Sequence, residues 1–336
     1  MIKRFVLTSV CFLLLFSNVK SEQKFEWNFS PILQKNWGST EYELNAEFLT
    51  YDPDSVIISR QIISILEFPM DRFTVGAELE INSFDTSKNF WYAKIAGAIN
   101  ITNPNENMTD NDWDKVLGRF DTKFSYTESN AELSGLNIKI EAGRDMFKLY
   151  GMNIGMIIGV KYQNLKFDIN DFSGWQKPFD PINFVYTDSI TIYSIVPALT
   201  YSIIYTTPYI GFISHNKLSR NSSVNLKAAL QSVLVKDEDN HLLRKKISTS
   251  SGSGLGFLGG VEFKIKLQKS KSGIQPFIKL TGDINIMKVE TNQTQTWYGD
   301  DPATPDIDDT GEVSGPLPHI IRSKQISVGA QFGLSF

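Results

Sequence analysis

Gln325-Ile326-Ser327-Val328-Gly329-Ala330-Gln331-Phe332-Gly333-Leu334-Ser335-Phe336 runs on a strict two-residue period. Ile326, Val328, Ala330, Phe332, Leu334 and Phe336 fall on one side, and the residues between them are glycine, serine or glutamine. Successive side chains of a strand point to opposite faces, so the segment reads as a strand with one apolar and one small or polar side. The same alternation returns through Trp91, Ala93, Ile95, Gly97, Ile99 and Ile101, through Ile154, Met156, Ile158, Val160 and Tyr162, and through Ile278, Leu280, Gly282, Ile284 and Ile286. Soluble sandwich strands average about five or six residues. These segments are longer and carry aromatics near their ends, which suits tilted strands with one side in lipid, and only a closed barrel satisfies the backbone of a sheet in hydrocarbon.

The rest of the chain agrees. Across 336 residues, 41% hydrophobic content with 21% charge is too apolar for disorder, yet after the N-terminus no long uncharged apolar run offers a helical span. Aromatic content of 12% favours strands. Lys3 and Arg4 precede an apolar run from Phe5 to Phe16, with Val19 and Ser21 at suitable cleavage positions, so residues 1–21 are expected to be a secretory signal peptide. Its removal takes away Lys3, Arg4 and Lys20, moving the formal charge from −4 to −7, and takes away Cys11, the single cysteine. An exported, acidic, cysteine-free chain is a poor binder of nucleic acid and has neither disulfides nor a thiolate zinc site.

Strands are expected near 40–52, 56–84, 89–102, 121–143, 147–170, 188–214, 222–236, 245–267, 273–295 and 319–336. The predicted fold is therefore all-β: one domain over 22–336, a ten-stranded antiparallel transmembrane β-barrel in the outer membrane of a Gram-negative-type bacterium. Short periplasmic turns at Asp85–Lys88, Gly143–Met146, His215–Asn221 and Gln268–Ser272 alternate with long extracellular loops around 103–120, 171–187, 237–244 and 296–318.

Asp-x-Asp in extended backbone presents two carboxylates on one face. It occurs at Asp52/Asp54, Asp110/Asp112, Asp237/Asp239 and Asp306/Asp308, and a solvated acidic loop accounts for most such pairs. Two have further context: Trp113 follows Asp112, and His241 continues the register of Asp239. A carboxylate beside an imidazole fixes its tautomer and leaves the second nitrogen to accept a proton. Facing that Asp239–His241 dyad across a barrel mouth, Asp110 and Asp112 can hold and polarise a water, with no metal, cysteine or serine required. His215, in a predicted turn, and His319, beside Pro318, lack this setting. His241 alone supplies too few nitrogens for zinc, a carboxylate-only calcium site stays open, and no Gly-x-Ser-x-Gly turn marks a serine nucleophile.

These two segments, Asn107-Met108-Thr109-Asp110-Asn111-Asp112-Trp113 and Asp237-Glu238-Asp239-Asn240-His241, resemble the signature loops of the omptin family of outer-membrane endopeptidases. Pro208-Tyr209-Ile210-Gly211, Asp121-Thr122, Tyr162-Gln163 and Phe336 extend the likeness. The resemblance implies an aspartic-type endopeptidase without a cofactor, cutting polypeptides next to basic residues. It gives Asp110, Asp112, Asp239 and His241 the catalytic roles, and Asp237 and Glu47 the acidic pocket for the side chain before the cut. It also implies a lipopolysaccharide requirement met on the barrel exterior, where Tyr162 and Lys166 match part of the family's lipid-holding cluster and Ile204 replaces one of its basic residues. The competing reading is a catalytically inactive surface adhesin that binds host or matrix proteins through its acidic loops; a diffusion pore ranks third, because a barrel of this size is filled by its own side chains.

Overall fold

The computed structural model describes residues 25–51, 56–83, 90–116, 120–271, 273–302, 304 and 308–336. The expected signal peptide, the Asp85–Lys88 turn, the Asp52/Asp54 pair and Asp306 lie outside them. All regular structure among the described residues is strand: β1 (Phe25–Tyr51), β2 (Ile57–Pro69), β3 (Arg72–Ser83), β4 (Trp91–Asn100), β5 (Met108–Val116), β6 (Phe120–Leu149), β7 (Met152–Gln176), β8 (Phe179–Asp180), β9 (Val185–Tyr186), β10 (Ile190–Tyr193), β11 (Leu199–Lys217), β12 (Ser222–His241), β13 (Lys246–Lys266), β14 (Gln275–Trp297) and β15 (Val313–Ser335).

Pairing is antiparallel throughout and closes on itself. β15 runs along β1 from Asn28↔Ser335 to Leu44↔His319. On the other edge of β1 the lower half pairs with β3 and the upper half with β2. β4 below and β5 above then both pair with β6, after which β6, β7, β11, β12, β13, β14 and β15 follow in order. The ring has ten positions, two of them occupied by a lower and an upper strand in series. The expected single strand 56–84 is thus two, interrupted at Met70–Asp71. Two segments expected as rim loops are strand instead: 108–116 forms β5, and β12 continues through His241. The expected turn Gly143–Met146 lies inside β6, which runs on to Leu149.

Outward residues of the lower barrel are apolar and exposed, among them Phe29, Leu33, Ile210, Leu230, Leu255, Val328 and Phe332. That belt gives way above to outward polar groups such as Lys236, Lys288, Glu290 and Lys324. Inside, the lower lumen is packed with ion pairs, including Lys94–Glu141 at 3.0 Å, Lys139–Glu141 at 3.0 Å and Lys227–Asp283 at 2.8 Å. Above them lies an apolar and aromatic plug. Tyr42, Phe68, Phe167, Tyr201, Tyr205, Val233 and Val289 are each at most 3% exposed, and Phe68 stacks on Tyr201 with centroids 4.3 Å apart. The plug separates the charged lumen from the mouth and forms the floor on which the acidic residues stand.

Candidate active site

Two strand tops meet over this floor. On β5, Asp110 and Asp112 share the inward face with Met108, a member of the plug, and are backed by Ser64 of β2, whose hydroxyl donates to Asp110 Oδ1 at 3.4 Å. On β12, Asp237, Asp239 and His241 continue the inward row of Val233 and Val235. The two-residue spacing noted in the sequence survives because strand, rather than loop, carries both motifs. Trp113 follows a register shift at Asp112 and lies 5.2 Å from the Lys123 ammonium, which donates to Asn111.

The fields of these groups overlap. Burial first, and then the Asp112 and Asp239 carboxylates, hold Asp110 well above the usual carboxylate range. Asp112 is raised by burial, against hydrogen bonds from Ser64 and Ser125. Asp239, only 2% exposed, is pushed up to about 7 by burial, with Lys246 opposing and Asp237 adding to the rise. The Tyr42 phenol is raised by burial and by three carboxylates, those of Asp239, Asp237 and Asp110. His241 Nε2 stands 3.6 Å from Asp239 Oδ2. Burial, together with the cations Lys246 and Arg244, lowers its imidazole to about 3. The ring is neutral at physiological pH and has a lone pair to offer. Asp239 Oδ1 has no hydrogen-bond partner among the described residues.

Around the dyad, Arg244 in the β12–β13 hairpin bonds Asp301 at 3.0 Å, and Asp301 also receives the Trp297 indole N–H at 3.3 Å. Lys246 donates to Gln295 at 3.1 Å and is lowered to about 8 by burial and Arg244. Across the mouth Arg60 grips Asp114 through Nε at 3.0 and 2.8 Å, with Tyr186 OH donating to the same carboxylate at 2.6 Å and the Phe179 ring 4.2 Å from the guanidinium. This network ties the segment carrying β8 and β9 to the rim. Among the described residues, no cluster of His, Cys, Asp and Glu has the spacing of a metal site.

The remaining expected residues divide. Asp237 stands in the inward row with Asp239 and His241, buried at 6%. Glu47 does not join it: it is exposed, accepts from Ser59 Oγ at 2.7 Å, and shares the outward parity of Glu41 and Glu43, both of which hold Arg322. At this height the inward face of β1 carries Thr40, Tyr42 and Leu44 instead, so no second acid from that strand meets Asp237. Tyr162 and Lys166 both face outward on β7, where Lys166 pairs with Asp168 at 3.3 Å; Ile204 faces outward beside them on β11. His215 sits low in the lumen against Asn225 at 3.1 Å and Asp145 at 3.5 Å. His319 is the residue that sequence reasoning set aside and the fold brings in: its Nε2 meets Asp237 Oδ2 at 3.1 Å.

A family model described as "Omptin family" matches residues 34–269. The chain belongs to the omptin family. This omptin is accordingly an outer-membrane protease acting on polypeptides. Its fold is similar to that of the outer membrane protease OmpT from Escherichia coli, with TM-score 0.62 and 14% identity over 94% of this chain and 99% of that one. A FadL homologue from Pseudomonas aeruginosa aligns over 93% of this chain and 89% of its own, with 7% identity and TM-score 0.26, too low to inform the fold. No curated protein sequence matches the chain.

Proposed function

We propose that this omptin is an aspartic-type endopeptidase that hydrolyses peptide bonds of cationic, basic-residue-containing polypeptides with a water held between Asp239–His241 and Asp110–Asp112. The observation that carries the reading is the convergence of both inward pairs above one sealed floor, close enough for the Asp239 charge to raise Asp110. His241 turns Nε2 toward Asp239. That leaves Nδ1 to take a proton from the water as it adds to the scissile carbonyl, and the imidazolium then returns the proton to the departing amine. Asp110 and Asp112, crowded and half-buried, share protons and fix the water on the opposite side. Exposed Asp171 at the top of β7, with Asp188, Asp300 and Glu312 in the outer loops, favours the approach of cationic peptides.

Lipopolysaccharide is the proposed activating lipid, with Tyr162 and Lys166 on the outward face of β7 as its contacts. The test is cleavage of a dibasic fluorogenic peptide by refolded protein with and without that lipid. His241→Ala and Asp239→Ala, each verified as a folded barrel by gel mobility before and after heating, are expected to lower kcat by about 10²–10⁴-fold. Unchanged turnover in either variant would reject the assignment.

A further inference from the structure

Asp237 is the next inward carboxylate below Asp239 on β12, one two-residue step of about 6.5 Å deeper in the mouth. A substrate side chain flanking the cut and reaching toward the floor would arrive there. In this chain the position is already taken. Asp237 Oδ2 lies 3.1 Å from His319 Nε2 and accepts from Tyr201 OH at 3.4 Å, and Oδ1 accepts from the Ser250 hydroxyl. The side chains of His319 and Asp237 are 0% and 1% exposed. His319 is fixed from the other side as well: Nδ1 lies 3.0 Å from the Glu43 carbonyl oxygen, and the ring packs 4.3 Å from that of Tyr42.

Both neighbours of the ring are acceptors, a backbone carbonyl and a carboxylate. A neutral imidazole has one N–H, so both contacts are hydrogen bonds only if the Asp237–His319 pair holds an extra proton between them. The carboxylate is thereby neutralised from within, and the imidazole stands where an incoming guanidinium or ammonium would have to stand. No second acid from β1 stands beside it, since Glu47 faces outward.

We propose that His319 is a specificity-determining residue, an internal counter-cation that closes Asp237 to basic side chains and so relaxes the demand for Arg or Lys before the cut. The proposal rests on the hydrolytic reading for its meaning but is testable without turnover. Fluorescent peptides of otherwise uncharged residues, carrying one Arg or its uncharged isostere citrulline, are titrated against His241→Ala protein in lipid-supplemented detergent. With His319 in place the two are expected to bind within about threefold of each other. Adding His319→Ala is expected to make the Arg peptide the tighter binder by about tenfold or more, and Asp237→Asn on top of it to erase that gain.

An Arg preference of about tenfold already present with His319 would overturn the proposal, as would an unchanged ratio after its removal. If His319→Ala fails to give a heat-modifiable barrel, His319→Gln, which keeps most of the volume and a donor but no charge, is read by the same criteria. Failure of the unmutated protein to cleave any peptide would instead strike the hydrolytic reading and leave these binding results standing.

Discussion

At the scale of the residue, the mouth concentrates carboxylates that its burial does not favour. Asp239 is the sharpest case, since its folded value near 7 lies about three units above that of an unfolded aspartate. A raised acid favours the folded state fully below its unfolded value, and this advantage is lost as pH rises through the folded one, here across about pH 4–7. Asp239→Asn removes the penalty, so the variant is expected to melt higher than the unmutated protein at pH 8 and at the same temperature near pH 4. The difference corresponds to roughly 4 kcal/mol and is read by calorimetry in detergent. Activity has the opposite dependence. With His241 neutral above about pH 3, the acid limb of kcat/KM is expected to follow Asp239 near pH 7 instead of an imidazole near 6.5; a limb at pH 5 or below would contradict this.

At the scale of the element, Gly38 is where β1 exchanges one neighbour for another. Asn36 pairs with Arg72 of β3, Ser39 pairs with Pro69 of β2, and Met70 N–H donates to the Gly38 carbonyl at 2.8 Å. Gly38 takes φ +114°, where an L side chain is strained, and a Cβ there would run into the Lys324 carbonyl oxygen of β15. Gly38→Ala is expected to cost about 1–3 kcal/mol, seen as a lower temperature for loss of the compact gel form. This junction was not legible in the sequence. Alternation over 56–84 reads as one strand because a strand relayed end to end by another keeps the same inward parity, and nothing local marks the change of neighbour. The two motifs were legible for the converse reason: Asp110/Asp112 and Asp239/His241 each depend on spacing within one strand, which the two-residue period fixes. His319 meets Asp237 across 82 residues of sequence. That contact follows from strand order and register, which no local pattern carries, and the same global parity turned Glu47 outward.

At the scale of the whole molecule, the ring encloses two distinct contents, an aromatic stopper beneath the mouth and a lattice of ion pairs below it. Phe68, Leu165, Phe167, Tyr201 and Ile203 are fully buried, and Lys279 reaches Glu78 from across the lumen. Among the described residues the stopper fills the section beneath the mouth, so planar bilayers containing the purified protein are expected to show no steady single-channel conductance; a stable open level would contradict the filled interior. The pairing that seals the cylinder joins β1 to β15, elements separated by almost the entire chain. Until β15 has been synthesised, β1 has one bare edge with no hydrogen-bonding neighbour to cover it, a condition hydrocarbon does not tolerate. Inserted strand by strand on its own, the chain would leave that edge bare in hydrocarbon, so sealing of the cylinder waits until its two extremes have met.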